Sequence, residues 1–167
     1  GLPNVSALDV LEGTAATPNV DYLMEYDVVI VSSNFSWADP ELLGNNLADY
    51  VDAGGNICLL VASIATGGGY GLQGRIITEA YMPITMGGPG GSGRLGKLED
   101  HPITKGVEEL SCSMPISSPG VFGTGQSLGF YADGNLVGAY HETLPVVAIN
   151  VFPMDFEWGG DLIRIMG

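Results

Sequence analysis

Hydrophobic and polar positions change their spacing along the chain. Val5 to Leu11 is a short apolar-rich run that predicts a strand, and Gly13 to Asn19, with Pro18, carries turn chemistry. Val20 to Tyr26 predicts a helix of one or two turns. It leads into Asp27–Ser33, a continuous β-branched run of the kind found in a strand buried on both faces. Asp39-Pro40 offers an N-cap with proline in the first helical position, and Leu42, Leu43, Leu47, Tyr50 and Val51 follow at helical spacing until Gly54-Gly55 stops the helix. Asn56 to Ser63 predicts a second buried strand. Strand, helix and strand with short connections form a right-handed βαβ unit, which sets the expected class as α/β.

Beyond Ser63 the chain becomes glycine-rich, with a helix expected over Leu72–Tyr81 and a loop over Met86–Gly96. The spacing then shortens toward strands at Gly120–Thr124, Ser127–Tyr131, Leu136–Tyr140 and Val146–Val151, so the C-terminal part is expected to be richer in β-hairpins. Ala132-Asp133-Gly134-Asn135 reads as a hairpin turn, and Trp158–Met166 as a final helix. No repeat at solenoid periods is present.

A length of 167 residues fits one domain, taken as 1–167. Hydrophobic residues make up 46% and charged ones 14%, which excludes disorder. The formal charge of −14 comes from 19 acids against five bases, none of them before Arg75. Such a base-poor chain lacks the cationic face that nucleic acid or anionic lipid requires. The longest apolar run, Ile57–Ala65, is half the length of about 18 residues that a membrane-spanning helix needs. The chain opens on Gly1 without a charged segment or apolar signal core, so an export signal is expected to be already removed or never to have existed. A weakly charged exterior of Gly, Ser, Thr and Asn suits burial against other subunits or domains.

Candidate chemistry is sparse. Gly69-x-Gly71-x-x-Gly74, with Arg75 adjoining, follows a predicted strand and opens a predicted helix as a dinucleotide loop would, but lacks the acidic residue about 20 positions on. Gly88-x-Gly90-x-x-Gly93 follows no strand. Gly91–Lys97 spells most of a P-loop, with Leu98 where a hydroxyl must hold magnesium. His101 with Asp100 and Glu99, and His141 with Glu142, lack zinc-site spacing, and Asp155, Glu157 and Asp161 lack a calcium loop. Cys58 and Cys112 do not make a disulfide framework, and Cys58 reads as a packed thiol. Ser63 stands at the turn after a buried strand, where a nucleophile would sit, without the small-residue frame of a nucleophile elbow. No catalytic, cofactor or metal residue is therefore assigned, and no cofactor is expected.

The succession Tyr26-Asp-Val-Val-Ile-Val, Trp37-Ala-Asp-Pro, Leu43-Gly-Asn-Asn-Leu-Ala-Asp-Tyr-Val-Asp-Ala-Gly-Gly55 and His101-Pro-Ile-x-x-Gly-Val107 resembles class I glutamine amidotransferase-like domains, of the ThuA-like branch found in large secreted prokaryotic proteins. The resemblance implies a flavodoxin-like, mostly parallel sheet with helices on both faces. It also implies a cysteine nucleophile at the turn that here reads Val61-Ala62-Ser63, and a later His-Pro-Glu where this chain has Phe152-Pro153-Met154. A Phe takes no proton and a Met orients no base, so glutamine hydrolysis is not expected. The resemblance further implies a first βα unit, missing here, whose strand would lie mid-sheet between Val5–Leu11 and Asp27–Ser33, so residues 1–167 are expected to be an incomplete segment of a longer chain or a domain completed by a strand from another polypeptide.

Three functions follow as expectations. The first is a non-catalytic structural or interaction domain of an extracellular or cell-surface protein, partnered by other copies of itself or by neighbouring domains. The second is a hydrolase of the same superfamily acting on an amide or carbohydrate through Ser63 or acidic residues. The third is a sugar or small-molecule binding module in which Trp37 and Tyr70 line the sheet's carboxyl edge.

Overall fold

The computed structural model describes residues 5–66, 69–88, 90, 93–113, 115, 117, 120–153 and 158–161. Asn19 caps a short first helix, α1 (Val20–Leu23), by accepting a hydrogen bond from the Tyr22 amide. Strand β1 (Val28–Val31) follows, and then α2 (Pro40–Asp52), whose N-cap Asp39 accepts from the Leu42 amide at 2.9 Å. Helix α2 buries Leu43, Leu47, Ala48, Tyr50 and Val51, the apolar face expected from the spacing. Its end is closed by the Gly54 and Gly55 amides, which donate to Val51 O and Tyr50 O.

Strand β2 (Asn56–Leu60) pairs parallel with β1, Val28 facing Asn56 and Val31 facing Leu59. The remaining elements are α3 (Arg75–Thr78), β3 (Gly93–Leu98), β4 (Leu110–Cys112), β5 (Gly125–Tyr131), β6 (Leu136–His141), β7 (Val146–Ile149) and β8 (Trp158–Gly160). All eight strands join one sheet in the order β1-β2-β7-β6-β5-β3-β4-β8. Only β1, β2 and β7 run parallel; every other neighbouring pair is antiparallel.

This corrects the flavodoxin-like expectation. Strand accounts for 29% of the described residues and helix for 17%, in one mixed, curled sheet that among those residues lacks helices on both faces. The physical reason lies between β2 and β7, where a doubly wound fold would place further βα units. Here that stretch folds back on itself as an antiparallel meander. The β5–β6 hairpin turns at Ala132–Asn135 as read, the Gly134 amide donating to Tyr131 O at 3.0 Å. Helices α1 and α3 both pack on α2, and α2 lies on β2.

Four local readings also change. Residues 5–11 form no strand. The helix expected over Leu72–Tyr81 shrinks to Arg75–Thr78, because Gly74 sits at φ +70° and prevents an earlier start. Part of the glycine-rich Met86–Gly96 stretch belongs to β3, where Gly93 faces the Tyr131 ring too closely for any side chain. Gly120–Thr124 contributes a single bridge, Val121 to Ile84, and Trp158–Gly160 is strand rather than helix, with 162–167 outside the described residues.

Candidate functional site

In sheets with parallel strands, ligand sites gather where the strands end at their carboxyl edge. Here that edge comprises the residues after β1, β2 and β7. Two side-chain bonds tie the first two together: Ser32 Oγ donates to Val61 O at 3.1 Å, and Ser63 Oγ lies 3.1 Å from Val31 O and 2.5 Å from Leu60 O. Ser63 is fully buried and engaged with backbone carbonyls. Between them Ala62 adopts φ +64°, a left-handed conformation that costs a non-glycine residue about 1–2 kcal/mol. A strained residue after a buried parallel strand has the geometry of a nucleophile elbow. The side chain there is a methyl group.

The histidines lie elsewhere. Tyr140 on β6 faces Val147 on β7, which faces Cys58 on β2, so His141 lies beyond Tyr140 toward the amino end of β2, the opposite edge from Ser63. Its Nδ1 accepts from the Thr143 and Leu144 amides, which leaves the neutral ring's proton on Nε2, 2.9 Å from Thr124 Oγ1. His101 stacks on the Tyr140 ring at 4.3 Å and caps the turn at Pro102–Thr104, Nδ1 accepting from the Ile103 amide. Neither histidine is brought to Ser63.

The other sequence candidates resolve into packing and capping. Arg75 is bound by Asp49, Asp52, Glu79 and Tyr81 and has its charge matched there rather than offered to a phosphate. Gly71 allows the backbone to pass Ala65 O, and Gly74 fits against Asn45 Oδ1. Glu99 pairs with Lys97 at 3.2 Å, and Asp161 Oδ2 accepts from the Glu108 and Glu109 amides. Among the described residues no three His, Cys, Asp or Glu side chains gather as a metal site; Asp155 and Glu157 lie outside those residues, as does Met154. Phe152 is buried, its amide donating to Cys112 Sγ at 3.4 Å. Cys58 is a packed thiol whose pKa burial pushes up to about 12. No protein-family model matches the chain, and no curated protein matches it significantly.

A cavity of about 220 Å³ opens at the carboxyl end of β1, lined by Leu11–Thr14, Ser32–Phe35 and Trp37. Trp37 is thus at the expected edge, where Gly13 packs against the Cε3–Cζ3 edge of its ring so closely that a Cβ would come within 2.6 Å of Cζ3. Its Nε1 donates to Tyr70 O at 2.6 Å, and the Tyr70 ring does not line the cavity.

The more unusual feature runs down from this cavity. Strand β1 is an edge strand of the sheet, and residues 9–13 run from near its start to beyond its end. Tyr26 Oη donates to Asp9 Oδ2 at 3.1 Å before the strand, and Gly13 O accepts from the Ala38 amide beyond it. Hydrogen bonds from Tyr22 and Asp9, with burial, raise the Tyr26 pKa above its ordinary value. Yet no backbone hydrogen bond joins residues 5–11 to β1. Of the thirteen large apolar side chains left exposed among the described residues, eight lie within the first 35 positions, including Leu8 at 73%, Val10 at 88%, Val28 at 53% and Ile30 at 43%. Sequence reasoning assigned Val28–Val31 to an interior strand. Nothing in the sequence marked the edge, because Val28–Val31 holds none of the lysine or proline that blunts natural edge strands.

Proposed function

We propose that this chain is a non-catalytic interaction domain that accepts an extended polypeptide strand along β1, within an extracellular or cell-surface protein. The observation that carries the reading is the outer edge of Val28–Val31, which makes no backbone hydrogen bond among the described residues, together with the exposed apolar side chains of residues 5–11. An edge strand with solvent-facing Val28 and Ile30 carries amides and carbonyls ready for another strand, and main-chain pairing supplies affinity in that mode of recognition. Ala62 where an elbow would present a nucleophile, Phe152 in the core, His141 at the opposite edge of the sheet and His101 capping a turn support a scaffold over a hydrolase. The base-poor, weakly charged composition and the resemblance to domains of secreted proteins support the location.

The test is amide hydrogen exchange at Val28–Val31 in the protein alone and with a short, uncharged peptide of alternating Thr and Val. Slowed exchange confined to β1 and residues 5–11 is expected. Unchanged exchange in β1 at saturating peptide overturns the reading.

A further inference from the structure

We infer that the strand accepted at β1 is a basic one: an apolar, β-branched segment of another polypeptide with Lys or Arg at the end that lies beside Asp9 and Asp27. This rests on the strand-accepting reading and names its partner by charge. The exposed side chains of β1 are apolar, Val28 and Ile30, and so are Leu8 and Val10 on either side of Asp9, which Tyr26 ties to the start of the strand. The charged residues of the described chain next to β1 are acidic. Asp9, Glu25 and Asp27 are exposed at the amino end of β1, and Glu12 is exposed at the other end, beside the cavity. Residues 1–74 contain nine acids and no lysine or arginine, and among the described residues no ion pair reaches Asp9, Glu12, Glu25 or Asp27.

The same arithmetic argues against a second copy as occupant. A second copy presenting its own first 74 residues would bring nine more acids and no base into the contact. Like charges brought together weaken strand pairing, while a cation beside exposed carboxylates strengthens encounter and register.

The experiment uses the whole chain and three short Thr-Val peptides that differ only in a terminal pair of Lys, Gln or Glu. Binding is read by isothermal titration, and position by exchange at Val28–Val31. The Lys peptide is expected to bind about tenfold more tightly than the Gln peptide, and the Glu peptide more weakly than either. The Asp9→Asn, Asp27→Asn double variant should erase the Lys preference and keep Gln-peptide binding. Salt at about 0.5 M should do the same. Equal affinity of the three peptides, or a Lys preference untouched by the double variant, overturns the charge assignment while the strand-accepting reading stands. Failure of all three to protect β1 overturns both. Concentration-dependent dimerisation that protects β1 without any peptide identifies a second copy as the occupant and overturns the basic partner.

Discussion

Gly55 lies flat against the ring of Tyr50: a Cβ at Gly55 would come within 2.2–2.3 Å of three ring carbons. Tyr50 is fully buried, and its hydroxyl donates to Tyr26 O at 2.9 Å, so the ring is anchored between the end of α2 and the start of β1. Gly54, by contrast, sits at φ +97° with open space around its missing side chain. The two adjacent glycines therefore do different work, one steric and one conformational. Gly55→Ala is expected to cost about 2–3 kcal/mol through overpacking. Gly54→Ala should cost about 1 kcal/mol from the left-handed backbone. Urea unfolding of the two variants checks the order; equal losses would contradict it.

Asp52, Tyr81 and Arg75 join α2 to α3. The Tyr81 hydroxyl donates to both Asp52 oxygens at 2.8 and 2.9 Å, and Arg75 Nη2 lies 3.0 Å from Oδ2. First Tyr81, then Arg75, lowers the Asp52 pKa below its ordinary 3.8. A carboxylate whose pKa falls on folding stabilises the fold above the ordinary value and loses that contribution as pH falls through the folded one. The stability difference between the natural chain and Asp52→Asn should thus be present at pH 6 and shrink toward pH 2.5. Its size should stay below about 1 kcal/mol, since the group is half-exposed. A difference that grows on acidification contradicts the assignment.

Cys58 and Cys112 are both buried. A thiol reacts as its thiolate, and burial holds Cys58 near 12, far above neutral pH. In the folded protein at pH 8 a disulfide reagent should therefore label no sulfur at Cys58 within minutes, and label it fully in denaturant. Fast labelling of Cys58 under native conditions would mean that β2 opens readily.

Where the sequence carried local chemistry, it was readable. Asp39-Pro40 and Gly54-Gly55 bracket α2 within a residue of its observed ends, because capping acts through neighbours only. The β5–β6 hairpin followed from Asp133-Gly134 for the same reason. Pairing partners were not readable, because they depend on distant segments. Val28–Val31 has the composition of a central strand but among the described residues is bonded on one side only, and Val5–Leu11 has strand composition but pairs with no described strand. The carboxyl-edge turn was located correctly at Val61-Ala62-Ser63. Its strain at Ala62 had no signal, since alanine does not mark a left-handed conformation as glycine does.

That strain leads to the last expectation. Ala62 holds φ +64° while its neighbour Ser63 is anchored to Val31 O and Leu60 O, so the turn is imposed by surrounding bonds against alanine's preference. Glycine tolerates the conformation but adds freedom to the unfolded chain, and the two effects oppose each other at about 1 kcal/mol apiece. Ala62→Gly should accordingly match or exceed the natural chain's stability. Ala53→Gly, at a right-handed position with φ −80°, should lose up to about 1 kcal/mol, because there glycine brings only the entropic cost. Ala62→Val, β-branched in a left-handed turn, should lose more than either. Thermal unfolding of the three variants provides the comparison. If Ala62→Gly proves the least stable of them, the methyl group is packed rather than strained, and the elbow reading of this turn fails.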